Sequence, residues 1–561
     1  MRLKSDSSSP PFSSGVSRRQ FLGLSGALAA ASWLSGCAVS GARPVPAAGQ
    51  VQLLFYADTL AQWLPSWVHP RATHLGPMAL LGQAPYITEE DRLAALGLTP
   101  EDRAAGWLTA RAARQQPQQM GGYARLAQAL EDQRQQHQGP TVTLEAGQCW
   151  TGSGLAQLSE GRHGPESSHW LGADLRLASD EAQRWPARWP QMKRDFGRPI
   201  LDAEQPFTLL NAQGLQLGVL GIADPWRTGQ AQQSGWSAEQ WALQIQQQIN
   251  LYRQQADLLL LVTDAGTNPS LWLAQQLSGA AMLFSAGGQD LWPEPLLPAS
   301  GAAALPVCCA GQLGQGYFAV DFYVEAGQWR YQGGFQPLVA ELPEAPEVLR
   351  RIAQLRAPYG RWLDEPLATS PNWLYRQATL AGSWDPLIAA ALQSTGARLT
   401  LAPGVRTGLA LPPDHPITRE HLLSLTAGLS APVFKLPATQ AQLRARLEAG
   451  ADELIGESWW LHSSQDLPRL SGSHYVLRYQ ATMGQRVADL EWPSATTRAQ
   501  LEVAGWSPRY QGEGPPLWQL MEGWLRQRPA SWTPPQMEQP SLAFVEGHPG
   551  WHPEASAAGA L

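Results

Sequence analysis

From residue 51 onward, short apolar runs alternate with longer stretches in which apolar and polar residues recur at helical spacing. Several apolar runs end in Asp, Gly or Asn, which is typical of buried strands that stop at a turn. This pattern predicts strands over 51–56, 142–145, 215–222, 258–263, 281–285, 306–310 and 317–324. Helical spacing covers 122–134 and 238–255, and Ser237 is placed to cap the second of these helices. Strands and helices in alternation predict a layered α/β core.

A second set of elements follows the first. A proline-bounded segment, 341–362, predicts a connecting helix, and further helices are predicted near 385–393 and 418–425. We therefore expect two α/β domains, over 51–340 and 367–540, joined by a connecting segment over 341–366. After Trp524 the chain turns to Pro, Gly, Ala and Ser, so the last stretch, 541–561, is expected to be a loosely held tail.

The N-terminus has the pattern of an export signal. Arg18 and Arg19 stand directly before an apolar run over 22–34, which is typical of a twin-arginine (Tat) signal. The run is too short to span a bilayer as a helix. It ends at Leu34-Ser35-Gly36-Cys37, which resembles a bacterial lipobox. We expect lipidation of Cys37, a periplasmic protein anchored to a membrane by that lipid, a signal over 1–37 and a linker over 38–50. The alternative is an ordinary cleavage site that contains a cysteine.

Composition excludes some classes of protein. With 561 residues the chain is long enough for at least two cores, and its 44% apolar residues and 25 tryptophans argue against disorder. Lys and Arg total 40 against 47 Asp and Glu, a net charge of −7. No basic field exists to hold a polyanion, so nucleic acid is excluded as a partner.

The three cysteines that follow Cys37 give little support for a disulfide framework. Cys308 and Cys309 are adjacent in an apolar run, and Cys149 stands apart. We expect structural buried thiols, because a disulfide between neighbouring residues needs unusual backbone geometry.

Six segments of the C-terminal half carry a resemblance to a known family. They read Leu-Arg-Ala-Pro-Tyr at 355–359, Trp-Leu-Tyr-Arg at 373–376, Ala-Pro-Gly-Val-Arg at 402–406, Ile-Thr-Arg-Glu-His-Leu at 417–422, Met-Gly-Gln-Arg at 483–486 and Val-Ala-Gly-Trp at 503–506. Together they resemble the thiosulfohydrolases of the bacterial Sox sulfur-oxidation system, which belong to the 5′-nucleotidase-like metallophosphoesterases. The resemblance implies an N-terminal layered metallophosphoesterase-like α-β-β-α domain and a C-terminal 5′-nucleotidase-like α/β domain. It also implies two divalent metals, typically manganese, and release of sulfate from a cysteine-bound thiosulfonate on a carrier protein.

At the metal-ligand positions that the resemblance implies, this sequence has lost most of the ligating side chains. Asp58 is retained, but Leu60 stands where the family has histidine and Gln148 where it has the bridging aspartate. Later ligand motifs now read Ala178-Ser179-Asp180-Glu181, Thr263-Asp264-Ala265-Gly266 and Ala286-Gly287-Gly288-Gln289-Asp290, so that Ser179, Ala265, Gly287 and Gln289 replace ligands. Leucine and glycine have no donor atom for a metal. We therefore expect no metal cofactor.

The positions of the histidines agree without any alignment, because none lies between Trp170 and Asp414. Asp58, Asp264 and either Asp180 or Asp290 are the carboxylates that remain, and together they would suit one weakly held hard cation. The alternative is that each is a solvated carboxylate at a strand end or turn.

Three other sets of residues complete the candidates. The resemblance implies that Arg406 in the Pro-Gly-Val-Arg segment faces the interdomain cleft, where it would meet an anionic group or form an interdomain salt bridge. His462, Asp466 and His474 form either a metal or acid–base cluster or a set of unrelated loop residues. Gly121 and Gly122 are interpreted as a backbone requirement of a turn.

Two function classes follow from these observations. Without metals, nothing in the sequence generates hydroxide at neutral pH, and no histidine is available at the strand ends to act as a base. We therefore expect a thiosulfohydrolase-like protein of periplasmic thiosulfate oxidation that is non-catalytic and binds a sulfur carrier or a related anionic ligand. The alternative is an active hydrolase with an atypical or weak metal site.

Overall fold

The computed structural model describes residues 49–226, 235–298, 304–429, 431–457, 465–492, 500–508, 510, 512–529 and 531–552. In the N-terminal half, the strands are β1 (Gln50–Ala57), β2 (Ser66–Trp67), β3 (Gln119–Met120), β4 (Thr141–Ala146), β5 (Leu175–Leu177), β6 (Ile200–Leu201), β7 (Phe207–Ala212), β8 (Leu215–Ile222), β9 (Leu258–Thr263), β10 (Leu283–Ser285), β11 (Val307–Cys309), β12 (Gly316–Glu325) and β13 (Gln328–Pro337). Each strand predicted for this half is present, with ends shifted by at most two residues.

Two sheets face each other in this half. One has the order β13-β12-β1-β4-β5-β6, and the other β11-β10-β9-β8-β7. Leu53 and Phe55 of β1 point between the sheets, where the rings of Phe55 and Phe284 lie 5.0 Å apart. Leu54 and Tyr56 point to the opposite face, under the outer helices. Both faces of β1 are buried from Val51 onward, which explains the unbroken apolar run 53–57.

Helices cover the outer face of each sheet. They are Glu89–Ala95, Ala105–Leu108, Ala110–Gln115, Tyr123–Gln136, Gly154–Leu158, Gly164–Trp170, Glu181–Arg184, Trp189–Phe196, Ala238–Tyr252 and Thr267–Gln276. The helix Ala238–Tyr252 begins at the predicted cap, since Ser237 accepts a hydrogen bond from the Gln240 amide in a capping box. The order helix, sheet, sheet, helix is the layered domain that was expected.

The C-terminal half is a second α/β domain. Its strands are β14 (Pro366–Thr369), β15 (Leu374–Tyr375), β16 (Leu399–Val405), β17 (Ala410–Leu411), β18 (Pro416–Thr418), β19 (Val433–Ala438), β20 (Gln465–Ser471), β21 (Val476–Arg478), β22 (Val487–Ala488), β23 (Leu501–Trp506) and β24 (Ser541–Ala543). The central sheet has the order β19-β23-β16-β20. The helices are Pro346–Leu363, which joins the halves, and then Trp384–Gln393, Arg419–Ser424, Gln440–Ile455 and Leu517–Leu525.

The two domains share a hydrophobic cluster. Leu60 and Leu313 of the N-terminal half pack in one cluster with Leu374 and Trp384 of the C-terminal half. Since burial of apolar area is the main favourable term in association, this cluster holds the domains together. Among the described residues, no helix is long and apolar enough to cross a membrane.

The expected loosely held tail is wrong for residues 541–552. β24 pairs in parallel with β21, and the Gly550 carbonyl accepts a hydrogen bond from the His74 amide at 2.8 Å. The Pro549 carbonyl accepts another from the Thr88 amide at 3.0 Å. Backbone pairing, which composition does not reveal, fixes this segment against the N-terminal half.

The cysteines Cys149, Cys308 and Cys309 are buried and free, as predicted. Burial raises the pKa of each thiol, so the reactive thiolate form is disfavoured. Cys37, the export signal and the linker up to residue 48 lie outside the described residues.

Candidate functional site between the two domains

The positions at which the resemblance implies metal ligands lie where parallel strands end. β1 runs parallel to β4, and β9 runs parallel to β10, so the loops after them meet at the same side of each sheet. Asp58 follows β1, Gln148 follows β4, Asp264 follows β9, and Gly287 and Gln289 follow β10. The contacts among these loops show what each of these residues does in this protein.

The carboxylate of Asp58 is bound by backbone amides of two of these loops. Oδ1 accepts a hydrogen bond from the Gln148 amide at 3.0 Å, and Oδ2 accepts one from the Gly287 amide at 2.7 Å. Asp58 is 1% exposed and has a positive φ of 47°. Hydrogen bonds to a charged acceptor are strong, so this side chain ties three chain segments together.

Gly287 has a structural reason to be glycine. Its φ is +80°, and a Cβ atom there would lie 2.2 Å from the carbonyl oxygen of Asp264. No other residue fits without moving that backbone, and the fit brings the Gly287 amide to Asp58. A histidine cannot occupy this position in the present fold.

Leu60 belongs to the interdomain packing. Its side chain is 3% exposed and packs in the cluster with Leu313 and Trp384. Its backbone amide donates a hydrogen bond to the Gln148 carbonyl at 2.7 Å. The position that holds a histidine in the family therefore joins the two domains through apolar contact.

Gln148 and Asp180 form a second satisfied group. The Gln148 side-chain amide donates to Asp180 Oδ2 at 3.2 Å, and the Thr151 hydroxyl donates to Oδ1 at 3.4 Å. Arg184 forms an ion pair with the same carboxylate. Ser179 is held next to it by a hydrogen bond from its amide to Glu181 Oε2 at 2.8 Å. Asp180 is thus paired with a cation of its own chain.

The remaining carboxylates do not gather into one pocket. Asp58 binds backbone amides, whereas Asp290 points to side chains of a different loop and of the second domain. Across the described ranges, no group of three His, Cys, Asp or Glu side chains is placed to hold a metal ion. The residues at these positions do not fit a two-metal centre, because leucine, glycine and a glutamine bonded to Asp180 stand where ligands are required. The expected absence of bound metal stays a prediction.

Asp290 lies at the centre of a buried charge cluster. Arg71 Nη1 lies 3.4 Å from Oδ1, and the Thr267 hydroxyl donates to Oδ2 at 2.6 Å. His74 Nε2 is also 3.4 Å from Oδ1, and Arg406 Nη1 lies 3.9 Å from Oδ2. Burial by itself raises the pKa of Asp290, but the interactions with His74, Arg71 and Arg406 outweigh burial and lower that pKa well below its ordinary value. Asp290 is therefore ionised.

Arg406 pairs with one carboxylate of its own domain and with one of the N-terminal domain. Its Nε donates to Asp466 Oδ1 at 3.0 Å within the second domain. Its Nη1 lies 3.9 Å from Asp290 Oδ2, which is the interdomain ion pair that the sequence left open. The side chain is 1% exposed. Asp466 also lies 3.7 Å from Arg469, which in turn pairs with Asp385 at 3.1 Å. The cluster thus continues into the core of the second domain.

A small cavity opens beside this cluster, and we call it the Arg71 cavity. Its volume is about 60 Å³, and Arg71, His74, Arg92, Gln289 and Asp290 line it together with His69, Gln312, Gln315 and Gln377. The sequence did not single out Arg71, His74 or Arg92 as functional residues. The run His-Pro-Arg-Ala-Thr-His at 69–74 places three basic or ligating side chains within six residues, which could have indicated a site. Its contact with Asp290 is seen only in the folded protein.

A larger cleft, the Trp67 cleft, lies on the other side of the same segments. Its volume is about 240 Å³, and it is lined by Leu60, Leu64, Ser66, Trp67, Leu313, Arg356, Leu409, His415, Glu420 and His421, among others. Leu313 and Leu409 face the cleft, whereas their neighbours Gln312 and Gly408 face the Arg71 cavity. The Gly408 amide donates to Gln312 Oε1 at 2.6 Å, and this bond forms part of the wall between them.

The structure places the other predicted residues apart. His474 Nε2 lies 3.0 Å from the Ser541 hydroxyl, while Asp466 pairs with arginines. His462 lies outside the described residues. At Gly121 and Gly122 the φ angles are +75° and +91°, and a Cβ on Gly121 would lie 2.6 Å from the Gly314 carbonyl. The backbone requirement predicted for this turn is confirmed.

Comparison with solved structures shows which fold these elements form. The sulfate thiohydrolase SoxB of Thermus thermophilus, solved with glycerol, superposes with a TM-score of 0.78 at 21% identity over 90% of this chain and 99% of that one. A 5′-nucleotidase precursor, also from Thermus thermophilus, gives a TM-score of 0.67 at 14% identity over 88% and 100%. A putative 5′-nucleotidase from Staphylococcus aureus gives 0.54 at 12% identity over 88% and 100%. No protein-family profile and no curated protein matches the chain. The predicted fold, a metallophosphoesterase-like domain followed by a 5′-nucleotidase-like α/β domain, is confirmed.

Proposed function

We propose that this chain is a non-catalytic, thiosulfohydrolase-like protein that binds the cysteine-bearing arm of a sulfur carrier in the Trp67 cleft. The observation that carries the proposal is Leu60, which replaces a metal ligand and lines the cleft. A cleft between the domains is thus present, and at this position its wall is the apolar side chain of Leu60 and not a metal ligand.

The chemistry of the nearby histidines supports a binding role over a metal-free hydrolase. Burial, with help from positive neighbours, lowers the pKa of His69 and His74 to about 3. Burial also lowers the pKa of His421, in the Trp67 cleft, to about 3. Such weakly basic imidazoles are poor general bases at neutral pH. Both oxygens of the Asp58 carboxylate accept hydrogen bonds from backbone amides, those of Gln148 and Gly287.

The cleft has features that suit an extended peptide arm. Leu313 and Leu409 line it with apolar surface, and the rings of Trp67 and His415 meet at 5.5 Å. Ser66 Oγ and Trp67 Nε1 are buried without a hydrogen-bond partner, so they can donate to carbonyl groups of an incoming chain. Affinity would come from a few buried contacts of this kind.

The test combines binding, turnover and metal content. Calorimetry with a thiosulfonate-loaded carrier is expected to give a dissociation constant in the micromolar range, about −8 kcal/mol, with no release of sulfate. Trp67→Ala is expected to weaken binding at least tenfold, and Phe544→Ala, which changes an exposed aromatic outside the cleft, is the matched control. Elemental analysis is expected to find less than one transition metal per chain.

Two outcomes would overturn this proposal. If the loaded carrier does not bind, the carrier-binding role is wrong. If the protein releases sulfate above the uncatalysed rate, the alternative of an active hydrolase with an atypical metal site replaces it. Arg406→Ala is a poor probe, because it leaves the buried Asp466 without its closest cation.

We also propose Tat export and attachment to a membrane through lipid on Cys37, which places the protein in the periplasm. The support is the twin arginine followed by Leu-Ser-Gly-Cys. Mass spectrometry of the native N-terminus decides this, since a peptide that begins beyond Ala38 without acyl mass would contradict it.

A further inference from the structure

Arg71 is a buried guanidinium whose terminal nitrogens lack hydrogen-bond acceptors. Its side chain is 6% exposed, and neither Nη1 nor Nη2 has a hydrogen-bond partner. The closest carboxylate oxygen, Asp290 Oδ1, lies 3.4 Å from Nη1, which is longer than a charge-assisted hydrogen bond. Buried polar groups are normally paired, so these nitrogens require acceptors that the chain itself does not provide.

Neighbouring groups add to the surplus of donors. Arg406 Nη2 and Arg92 Nε are also buried without a hydrogen-bond partner. Arg92 lines the Arg71 cavity and is otherwise held by its contacts to the carbonyls of Leu108 and Leu291. Three arginine side chains thus reach this region with unused N–H groups.

The charges of the cavity and its ion-paired neighbours do not balance. Two cations, Arg71 and Arg92, line the cavity against one anion, Asp290, and the neighbouring Arg406 pairs with Asp466. His74 donates its Nδ1–H to the Pro85 carbonyl at 3.2 Å, so this ring nitrogen is not an acceptor for Arg71. Asp58 and Asp264, the other buried carboxylates of these loops, do not line the cavity. Positive charge is in excess, and an excess of buried charge is costly unless an ion of opposite sign compensates it.

The cavity has the size and lining that a small anion needs. Its volume of about 60 Å³ exceeds the ~10–15 Å³ that one water requires. Side-chain amides of Gln289, Gln312, Gln315 and Gln377 supply neutral groups that can donate to oxygen atoms. Gln289 stands where the family resemblance has a metal-binding histidine, and it lines the same cavity as Arg71.

We infer that the Arg71 cavity binds one small tetrahedral oxyanion, of the sulfate or phosphate class, through charge-assisted hydrogen bonds from Arg71. The oxyanion supplies the acceptors that Arg71 lacks and offsets the excess positive charge. This site does not rest on the proposed function, because it needs neither the carrier nor the Trp67 cleft, which opens on the other side of the shared wall.

The first test is thermal unfolding in sulfate, phosphate and chloride at matched ionic strength. Sulfate stabilises many proteins without saturation, so the expected result is a saturable rise in Tm with sulfate or phosphate that chloride does not give. Arg71→Gln is expected to raise the anion dissociation constant at least tenfold. Arg350→Gln, at a side chain that is 73% exposed, is the matched control and should leave it unchanged. If Tm rises equally and without saturation in the wild type and in both variants, the inference is wrong.

The second test does not depend on how a variant folds. Crystals of the wild-type protein soaked in selenate are expected to show one anomalous peak within hydrogen-bond distance of Arg71. Water molecules alone at this position overturn the inference. The relative affinities for sulfate and phosphate then show which of these two oxyanions the cavity prefers.

Discussion

The strand-end loops and the Arg71 cavity share Gln289 and Asp290, yet their buried polar groups are satisfied to opposite degrees. In the loops, the Asp58 carboxylate is bound by the amides of Gln148 and Gly287. In the cavity, both terminal nitrogens of Arg71 are buried without a hydrogen-bond partner. A polar group satisfied by its own chain stabilises the fold, whereas a buried group left without a partner costs stability and indicates a place for a ligand.

The same contrast separates two of the positions at which the resemblance implies a metal ligand. Leu60 adds apolar contact between the domains. Gln289 lines a cavity into which a loop of the N-terminal half brings positive charge. The first position is therefore structural, whereas the second has the character of a binding site.

The comparison predicts its largest stability effect at Asp58. Asp58→Ala is expected to lower the free energy of unfolding by about 3–5 kcal/mol, because two buried amides lose a charged acceptor worth ~1.5–3 kcal/mol each. Asp58→Asn should cost less, since its carbonyl oxygen can keep one of the two bonds. Urea denaturation measures both effects.

Asp414 offers a matched control for Asp58. It is an exposed aspartate that also has a positive φ, 60° against 47°, so Asp414→Ala tests the same backbone conformation without the buried amides. We expect a change within about 0.5 kcal/mol. If Asp58→Ala costs no more than this control and lowers a measurable metal content, Asp58 is a ligand and the comparison fails.

The next effect is expected at Leu60. Leu60→Ala removes a buried side chain between the domains and is expected to cost about 2–4 kcal/mol in denaturant unfolding. Leu251→Ala, at a leucine that is 56% exposed, should cost little. Leu60→His should lower stability without raising the metal content found by elemental analysis. Two bound metals in that variant would show that the ligand set is closer to complete than the contacts indicate.

The smallest effect concerns the dependence of stability on pH through His69. Its Nε2 accepts a hydrogen bond from Arg114 Nε at 3.0 Å, and the ring stacks on Tyr375 of the second domain at 4.1 Å. Burial, followed by the charge of Arg114, lowers the pKa of His69 to about 3, against about 6.5 in the unfolded chain. The unfolded chain therefore binds a proton that the folded protein does not. As the pH is lowered from 6 to 4, His69 is therefore expected to reduce the free energy of unfolding by about 1.4 kcal/mol per pH unit.

Denaturant unfolding across this pH range tests the prediction. The slope should become shallower by that amount in His69→Gln, while His169→Gln, at an exposed histidine, should leave it unchanged. An unchanged slope in His69→Gln would mean that the imidazole is solvated, and that the two domains do not close over this side of the Arg71 cavity.

Much of the architecture was predictable because it depends on neighbours along the chain. The apolar run 51–56, the spacing over 238–255 and the cap at Ser237 are local patterns, and each corresponds to the observed element. The poor fit of Leu60 and Gly287 to a metal site was predictable for a similar reason, since the absence of a donor atom in leucine or glycine is a property of the residue itself.

The sequence by itself determined the layered α/β fold, the order of its domains and which side chains stand at the ligand positions that the resemblance implies. The tertiary structure alone decided what the surviving residues do. Asp58 finds its donors 90 and 229 residues away, and Arg71 meets Asp466 only because the two domains close on each other. Composition likewise predicted a loose tail where backbone hydrogen bonds hold Pro549 and Gly550. Side-chain chemistry and periodicity are local, whereas the partner of a buried charge is set by segments that are distant in sequence and meet only in the folded protein.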